Sequence, residues 1–179
     1  MITFACRITQ QLALGSISST PILKGVVPSF NVAFRAWPID LDTYFHINNS
    51  CYLRVAELAR WRVFPESKMY TFVAQKGVMF LATDQTVKYM RPIEAFQRYV
   101  VNTSVSVEND KWFYYKHTFL QHPDDVKEGK EAVAYCQIVC KAVLKERTGK
   151  TVPASRFLET SEYYRSLAVH MPAEAAAQI

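Results

Sequence analysis

Between Asn49 and Phe64 the chain carries a helical pattern too apolar to lie on a protein surface. Tyr52, Ala56, Ala59 and Val63 recur at helical spacing, and Leu53, Leu58 and Trp61 widen the apolar surface well beyond one stripe. A helix of that kind has to be wrapped on most sides by other structure. The sequence supplies the wrapping, because from Val78 to about Lys145 it reads almost wholly as strand. The segments are Val78 to Met90, Phe96 to Val107, Trp112 to Gln121 and Glu131 to Lys145. They are separated by the link Arg91-Pro-Ile-Glu-Ala95, a hairpin turn at Glu108 to Lys111 and a longer turn from His122 to Lys130. In the last strand Ala132, Ala134, Cys136, Ile138, Cys140, Ala142 and Leu144 share one small, smooth face that suits a helix packed across it. A further strand precedes the helix, with Phe30, Val32, Phe34 and Ala36 alternating against Asn31, Ala33 and Arg35, and Pro38 stops it. Asn48 or Asn49 is expected to cap the helix and Pro65 to end it. Gln75 to Gly77 reads as a loop or short turn, and Pro153 to Leu167 as a closing helix.

The expected class is therefore α+β, one long central helix wrapped by a curved antiparallel sheet of about five strands. An open sheet leaves edge strands, which commonly pair with a second copy, so a homodimer is expected, or a tetramer built on it. A length of 179 residues with 50% hydrophobic content fits one domain with a full core. The expected division is an N-terminal extension over residues 1–25, the domain over 26–168 and a flexible tail over 169–179. The first 39 residues hold no acidic side chain and include Arg7, Lys24, Arg35 and a Ser16-Ile-Ser-Ser19 cluster. That pattern is shared by organellar transit peptides and by a short helix laid against a domain. A cytoplasmic location is expected, with a mitochondrial one as the alternative.

A net charge of +5 suits an anionic ligand, but Lys and Arg are scattered and form no basic run, so nucleic acid is not the expected partner. No stretch approaches the roughly 20 apolar residues needed to span a bilayer. The four cysteines, Cys6, Cys51, Cys136 and Cys140, have neither metal-site spacing nor the density of a disulfide scaffold, and read as reduced core thiols. Neither a metal nor a redox cofactor is implied.

The chemistry lies just ahead of the helix, in Asp40-Leu-Asp-Thr-Tyr-Phe-His-Ile-Asn-Asn49. A carboxylate, an imidazole and two amides are gathered where a helix start offers partial positive charge and unpaired N–H groups. A carbonyl oxygen brought there would be polarised while Asp42 or His46 worked on its carbon, which outlines an acyl-transfer site.

Asp40, Asp42, His46, Ile47, Asn48, Asn49 and Tyr52, followed by Glu57, Ala59 and Arg60, fall in register with the motif Asp-x-Asp-x-x-Gly-His-Val-Asn-Asn-x-x-Tyr and then Glu-x-Ala-Arg. On those residues the chain resembles the hotdog-fold thioesterases of the 4-hydroxybenzoyl-CoA thioesterase type, over roughly residues 30 to 160. Phe45 stands where that family usually has glycine. The resemblance implies hydrolysis of a fatty or aromatic acyl-CoA to free acid and CoA, with CoA entering only as part of the substrate. It makes Asp42 the general base or nucleophile, against a bland role as a loop aspartate. His46 would support it, Tyr44 stands where related enzymes place an asparagine, and Asn48 fixes the loop. The N–H groups from Asn49 through Ser50 to Cys51 would form the oxyanion hole.

Glu57 is the reserve base, with an ion pair to Arg60 as its structural alternative. Lys88, Arg91 and Arg98, around the link, are the candidate contacts to the CoA phosphates. The rival function is a non-catalytic acyl-CoA or acyl-lipid binding protein of the same fold, which the altered Tyr44 and Phe45 would favour. A dehydratase would require His117 to work opposite Glu57, and the glycine-rich loop of that class is absent.

Overall fold

A computed structural model describes residues 6–10, 13, 29–66 and 68–158. Most of the extension at 1–25, the closing helix beyond residue 158 and the tail at 169–179 lie outside the described residues. Residues 6–10 are helical, and Cys6 there is exposed, whereas Cys51, Cys136 and Cys140 are buried. The reading of core thiols therefore holds for three cysteines of the four.

The strands are β1 (Ser29–Arg35), β2 (Val78–Tyr89), β3 (Arg98–Glu108), β4 (Trp112–Gln121), β5 (Ala134–Glu146) and β6 (Thr151–Val152). The helices are α1 (Asn49–Glu66), α2 (Met69–Lys76) and the short α3 (Ser155–Leu158). All strand pairs are antiparallel, in the order β1-β3-β4-β5-β2, with β6 beside the end of β5. The β3–β4 hairpin turns through Asn109, Asp110 and Lys111, with Asn109 and Asp110 both at positive φ (52° and 50°) and the Lys111 N–H donating to the Glu108 carbonyl at 3.1 Å. Asn and Asp tolerate that conformation best among residues with a side chain.

The inner face follows from strand alternation. Tyr99, Val101, Thr103 and Val105 of β3, Phe113, Tyr115, His117 and Phe119 of β4, and Cys136, Ile138, Cys140, Ala142 and Leu144 of β5 are each at most 1% exposed. They meet Tyr52, Val55, Ala56, Ala59, Val63 and Phe64 of α1. The small Ala56 and Ala59 let the helix lie close to the Cys and Ala side chains of β5. Each large apolar side chain buried here contributes about 1.5–3 kcal/mol. The aromatic run at the start of β4 thus gives Phe113 and Tyr115 to the core.

Three local expectations are corrected. The turn expected at Gln75 to Gly77 is narrower than read, since residues 69–76 form a helix whose Met69 and Phe72 bury themselves under its inner side. Gly77, at φ 61°, ends it in the left-handed conformation. The helix α1 runs one residue past Pro65, whose missing N–H costs one bond only at the last turn. The strand β5 begins at Ala134, three residues later than Glu131.

Sequence order and sheet order part company at β2. That strand pairs with β5 at one edge, while the next strand, β3, lies beside β1 at the other. The link between them must cross the sheet, and it passes the start of α1. Met90 and Arg91 donate to the Tyr135 carbonyl (2.9 and 3.0 Å) as it leaves, and Ala36 and Phe96–Gln97 exchange bonds of 2.9 and 3.0 Å as it arrives. Midway, Ile93 is fully buried. This crossing positions the polar loop.

Candidate active site

The loop from Asp40 to Asn48 is held from three directions. Asp40, only 2% exposed, accepts from the Trp37 N–H at 3.1 Å through Oδ2. Its Oδ1 pairs with Arg54 of α1 at 2.7 Å and with Arg7 at 3.6 Å. Asp40 thus bonds backbone N–H as expected, and adds two ion pairs to it. Arg54 carries no signal in the loop motif, although one turn inside α1 is where a cation reaches back to the helix start. It also donates to Cys51 Sγ at 3.2 Å. Burial pushes the Cys51 thiol up, so it stays protonated at neutral pH and is a poor nucleophile.

Asp42 closes its own turn. Its Oδ1 accepts the N–H groups of Tyr44 (2.8 Å) and His46 (3.3 Å), and its own N–H donates to the His46 carbonyl at 2.9 Å. Among the described residues Oδ2 accepts no hydrogen bond. One oxygen is thus anchored and the other is available. The crossing link then clamps the far side of the loop, with Ile47 N–H donating to the Ile93 carbonyl (3.0 Å) and Ala95 N–H to the Phe45 carbonyl (3.1 Å). In the same place His46 Nε2 lies 3.2 Å from Glu94. Glu94 was not a candidate from sequence, since it sits far along the chain and only the crossing brings it here.

At the helix start Asn48 is the cap. Its Oδ1 accepts the Ser50 N–H (2.9 Å) and hydroxyl (2.7 Å), and its carbonyl accepts the Cys51 N–H (2.8 Å). Of the three N–H groups expected to line the oxyanion hole, those of Ser50 and Cys51 thus already have partners. The Asn49 N–H alone has none among the described residues. The Asn49 carbonyl meanwhile accepts from the Tyr89 hydroxyl at 3.1 Å, which ties α1 to β2.

Phe45 adopts φ 61°, so the position where the motif has glycine is a left-handed one, and the phenylalanine is strained there. Its side chain is 72% exposed and returns little packing. Phe45→Gly is expected to stabilise the protein by up to about 1 kcal/mol, read as a rise in denaturation midpoint at unchanged slope. Tyr44, 79% exposed, points its ring to solvent rather than closing over the carboxylate.

The remaining candidates are dispersed. Glu57 accepts from the Trp61 indole N–H at 3.4 Å and makes no ion pair with Arg60, which overturns the expected pairing. Lys88 is exposed on β2, and Arg91 is exposed on the link beside the loop. Arg98 is turned to Asp124 (3.1 Å) and Asp125 (2.6 Å), which hold it away from the loop. His117 lies fully buried beneath α1 with Nδ1 2.9 Å from the Thr103 hydroxyl, and burial together with the Arg60 charge keeps it neutral.

A single long helix wrapped by an antiparallel sheet in the order β1-β3-β4-β5-β2, with an acidic loop at the helix mouth, defines a hotdog-fold protein of the thioesterase type. The chain belongs to the thioesterase-like superfamily, which it matches over residues 36–179. It is 30% identical over 105 residues to Protein THEM6 of Xenopus laevis, a match covering 59% of this chain and 51% of that protein. The chain thus spans about half the length of that relative. Among solved structures it is similar to a 1,4-dihydroxy-2-naphthoyl-CoA thioesterase from Synechocystis, with a TM-score of 0.64 at 12% identity. That likeness covers 80% of this chain and 100% of the other. A 4-hydroxybenzoyl-CoA thioesterase from Pseudomonas sp. strain CBS-3 gives 0.61 at 13% identity, over 73% of this chain and 97% of the other.

Proposed function

We propose that the protein hydrolyses an acyl-CoA thioester, with Asp42 as general base or nucleophile. The observation that carries this is the Asp42 carboxylate, fixed through Oδ1 by two backbone N–H groups with Oδ2 left to react, at a helix start in a thioesterase-like chain. As a base, Oδ2 takes a proton from water as the oxygen attacks the thioester carbon; the C–S bond then breaks and the thiolate leaves, to be protonated by solvent. As a nucleophile, Oδ2 attacks the same carbon, the thiolate leaves, and water cleaves the resulting anhydride. Both routes put negative charge on the carbonyl oxygen, and the Asn49 N–H with the positive end of α1 is the local source of stabilisation. Glu94, 3.2 Å from His46 Nε2, holds that imidazole in place beside the loop. Lys88 and Arg91 remain the cations for the CoA phosphates.

Thiol release measured over short, long and aromatic acyl-CoAs tests the reading. Hydrolysis of at least one class is expected; saturable binding with no thiol released from any would favour an acyl-CoA binding protein instead.

The same reading includes a homodimer. Among the described residues nothing pairs with the outer edge of β2, and Met79, Leu81 and Tyr89 on it and Met90 just beyond are 37–45% exposed. Such an edge is covered most economically by its own copy. Met79→Lys combined with Leu81→Glu is expected to shift the sedimenting species to the 20.6 kDa monomer. Among the described residues no helix is long and apolar enough to cross a membrane.

A further inference from the structure

Beyond the loop, a cavity of about 320 Å³ opens between α1, α2 and β2. Its apolar walls include Trp61, Phe64, Tyr70 and Phe80, and two charged side chains of α1, Glu57 and Arg60, line it as well. Arg60 is 93% buried, and among the described residues its guanidinium has no hydrogen bond and no ion pair. Glu57, on the same wall, accepts from the Trp61 indole at 3.4 Å and does not reach the guanidinium, and His117, beneath the helix, is neutral. A guanidinium with five donors and no protein acceptor, set in a largely apolar cavity wall, favours an acceptor that enters the cavity.

The chemistry of that acceptor is narrowly set. A planar guanidinium matches a carboxylate through two parallel bonds. Glu57 on the same wall repels a dianion such as phosphate more than a monoanion. The aromatic remainder of the wall suits an alkyl or aryl body. We propose that this cavity binds a carboxylate carried on an apolar chain, with Arg60 as its anchor.

Its place relative to the reacting end is fixed by the helix. Arg60 lies eleven residues after Asn49, or about 16 Å along α1 at the usual rise per residue. The strand β2 runs beside that path, from Tyr89 on the Asn49 carbonyl to Phe80 against Phe64 (ring centroids 5.0 Å apart). A carboxylate here is therefore either the distal end of a dicarboxylic acyl group or the free acid after release. Assigning it to substrate or product rests on the hydrolase reading; the binding itself does not.

Calorimetry on the full chain with sodium decanoate and 1-decanol tests the binding. Decanoate is expected to bind about tenfold or more tighter than the alcohol, and Arg60→Met to erase that difference. Ala82→Leu, which narrows the cavity and leaves Arg60 in place, is expected to weaken both ligands and guards against a misfolded Arg60 variant. Equal affinity for acid and alcohol in the unaltered protein, or decanoate binding untouched in both variants, overturns the proposal. Thiol release from decanedioyl-CoA and decanoyl-CoA then separates the two sources. A preference for the diacid that Arg60→Met abolishes assigns the carboxylate to the substrate; inhibition by decanoate that Arg60→Met relieves, without such a preference, assigns it to the product. No thiol release from either thioester would remove the hydrolase reading and leave the calorimetric result standing.

Discussion

Replacing Asp42 by asparagine is expected to lower kcat/KM for acyl-CoA hydrolysis by about 10²–10⁴-fold, with the melting temperature nearly unchanged. The two halves of that expectation have separate causes. Asparagine keeps an oxygen where Oδ1 accepts from the Tyr44 and His46 N–H groups, so the turn survives. At Oδ2 it places an amide, which neither takes a proton from water nor attacks a carbonyl carbon. Because the geometry is preserved, the loss measures the missing charge rather than a collapsed loop. An Asp42→Asn protein with full turnover would exclude the residue from the mechanism. A larger loss in Glu57→Gln than in Asp42→Asn would move the base onto α1.

Asp40 shows the opposite balance. Asp40→Ala is expected to destabilise the protein by about 3 kcal/mol, because it strips a buried carboxylate from Arg54 and Arg7 and leaves the Trp37 N–H without an acceptor. The figure lies at the low end for a broken buried pair, since both arginines keep about a third of their side-chain surface in water and can recover hydration there. For a chain of this length that is a fall in Tm of roughly 6–12 °C. Turnover should fall too, since Asp40 also anchors the loop start: its carbonyl accepts the N–H of Asn48, the capping residue, at 2.9 Å. A melting curve matching that of the unaltered protein would show the ion pairs to be dispensable.

These two aspartates, separated only by Leu41, mark how far the sequence can be read. The helix α1 is legible because its apolar pattern is local, and the strands because alternation is local too. The hairpin turn from Glu108 to Lys111 is likewise a property of neighbouring residues. Asn48 as cap and Phe45 as the odd residue in a glycine position both come from short-range pattern, and the positive φ at Phe45 gives the reason for the glycine. What could not be read is everything that depends on which strands become neighbours. Glu94 reaches His46, and Ile93 reaches Ile47, only because β2 lies at the far edge from β3. The same holds for Arg98, a reasonable phosphate ligand by position until the turn at Asp124 and Asp125 folds onto it. The short helix α2 escapes for a different reason, since its eight residues give barely two turns of pattern. The separation of Glu57 from Arg60 escapes because side-chain rotamers, not backbone spacing, decide whether two such groups meet.

The crossing link also bears on the order in which the molecule assembles. Its ends belong to the edge strand β2 and to β3, which lies three strands away across the sheet, so it cannot settle until β2 has joined β5 and β1 has joined β3, contacts that close long stretches of chain. The three-strand meander and the helix can form earlier from nearer neighbours. The loop bearing Asp42 receives its clamp only when the link is in place. In a refolding chain the sheet would therefore return first and the acyl-transfer geometry last, so a half-folded molecule would be structured without being competent.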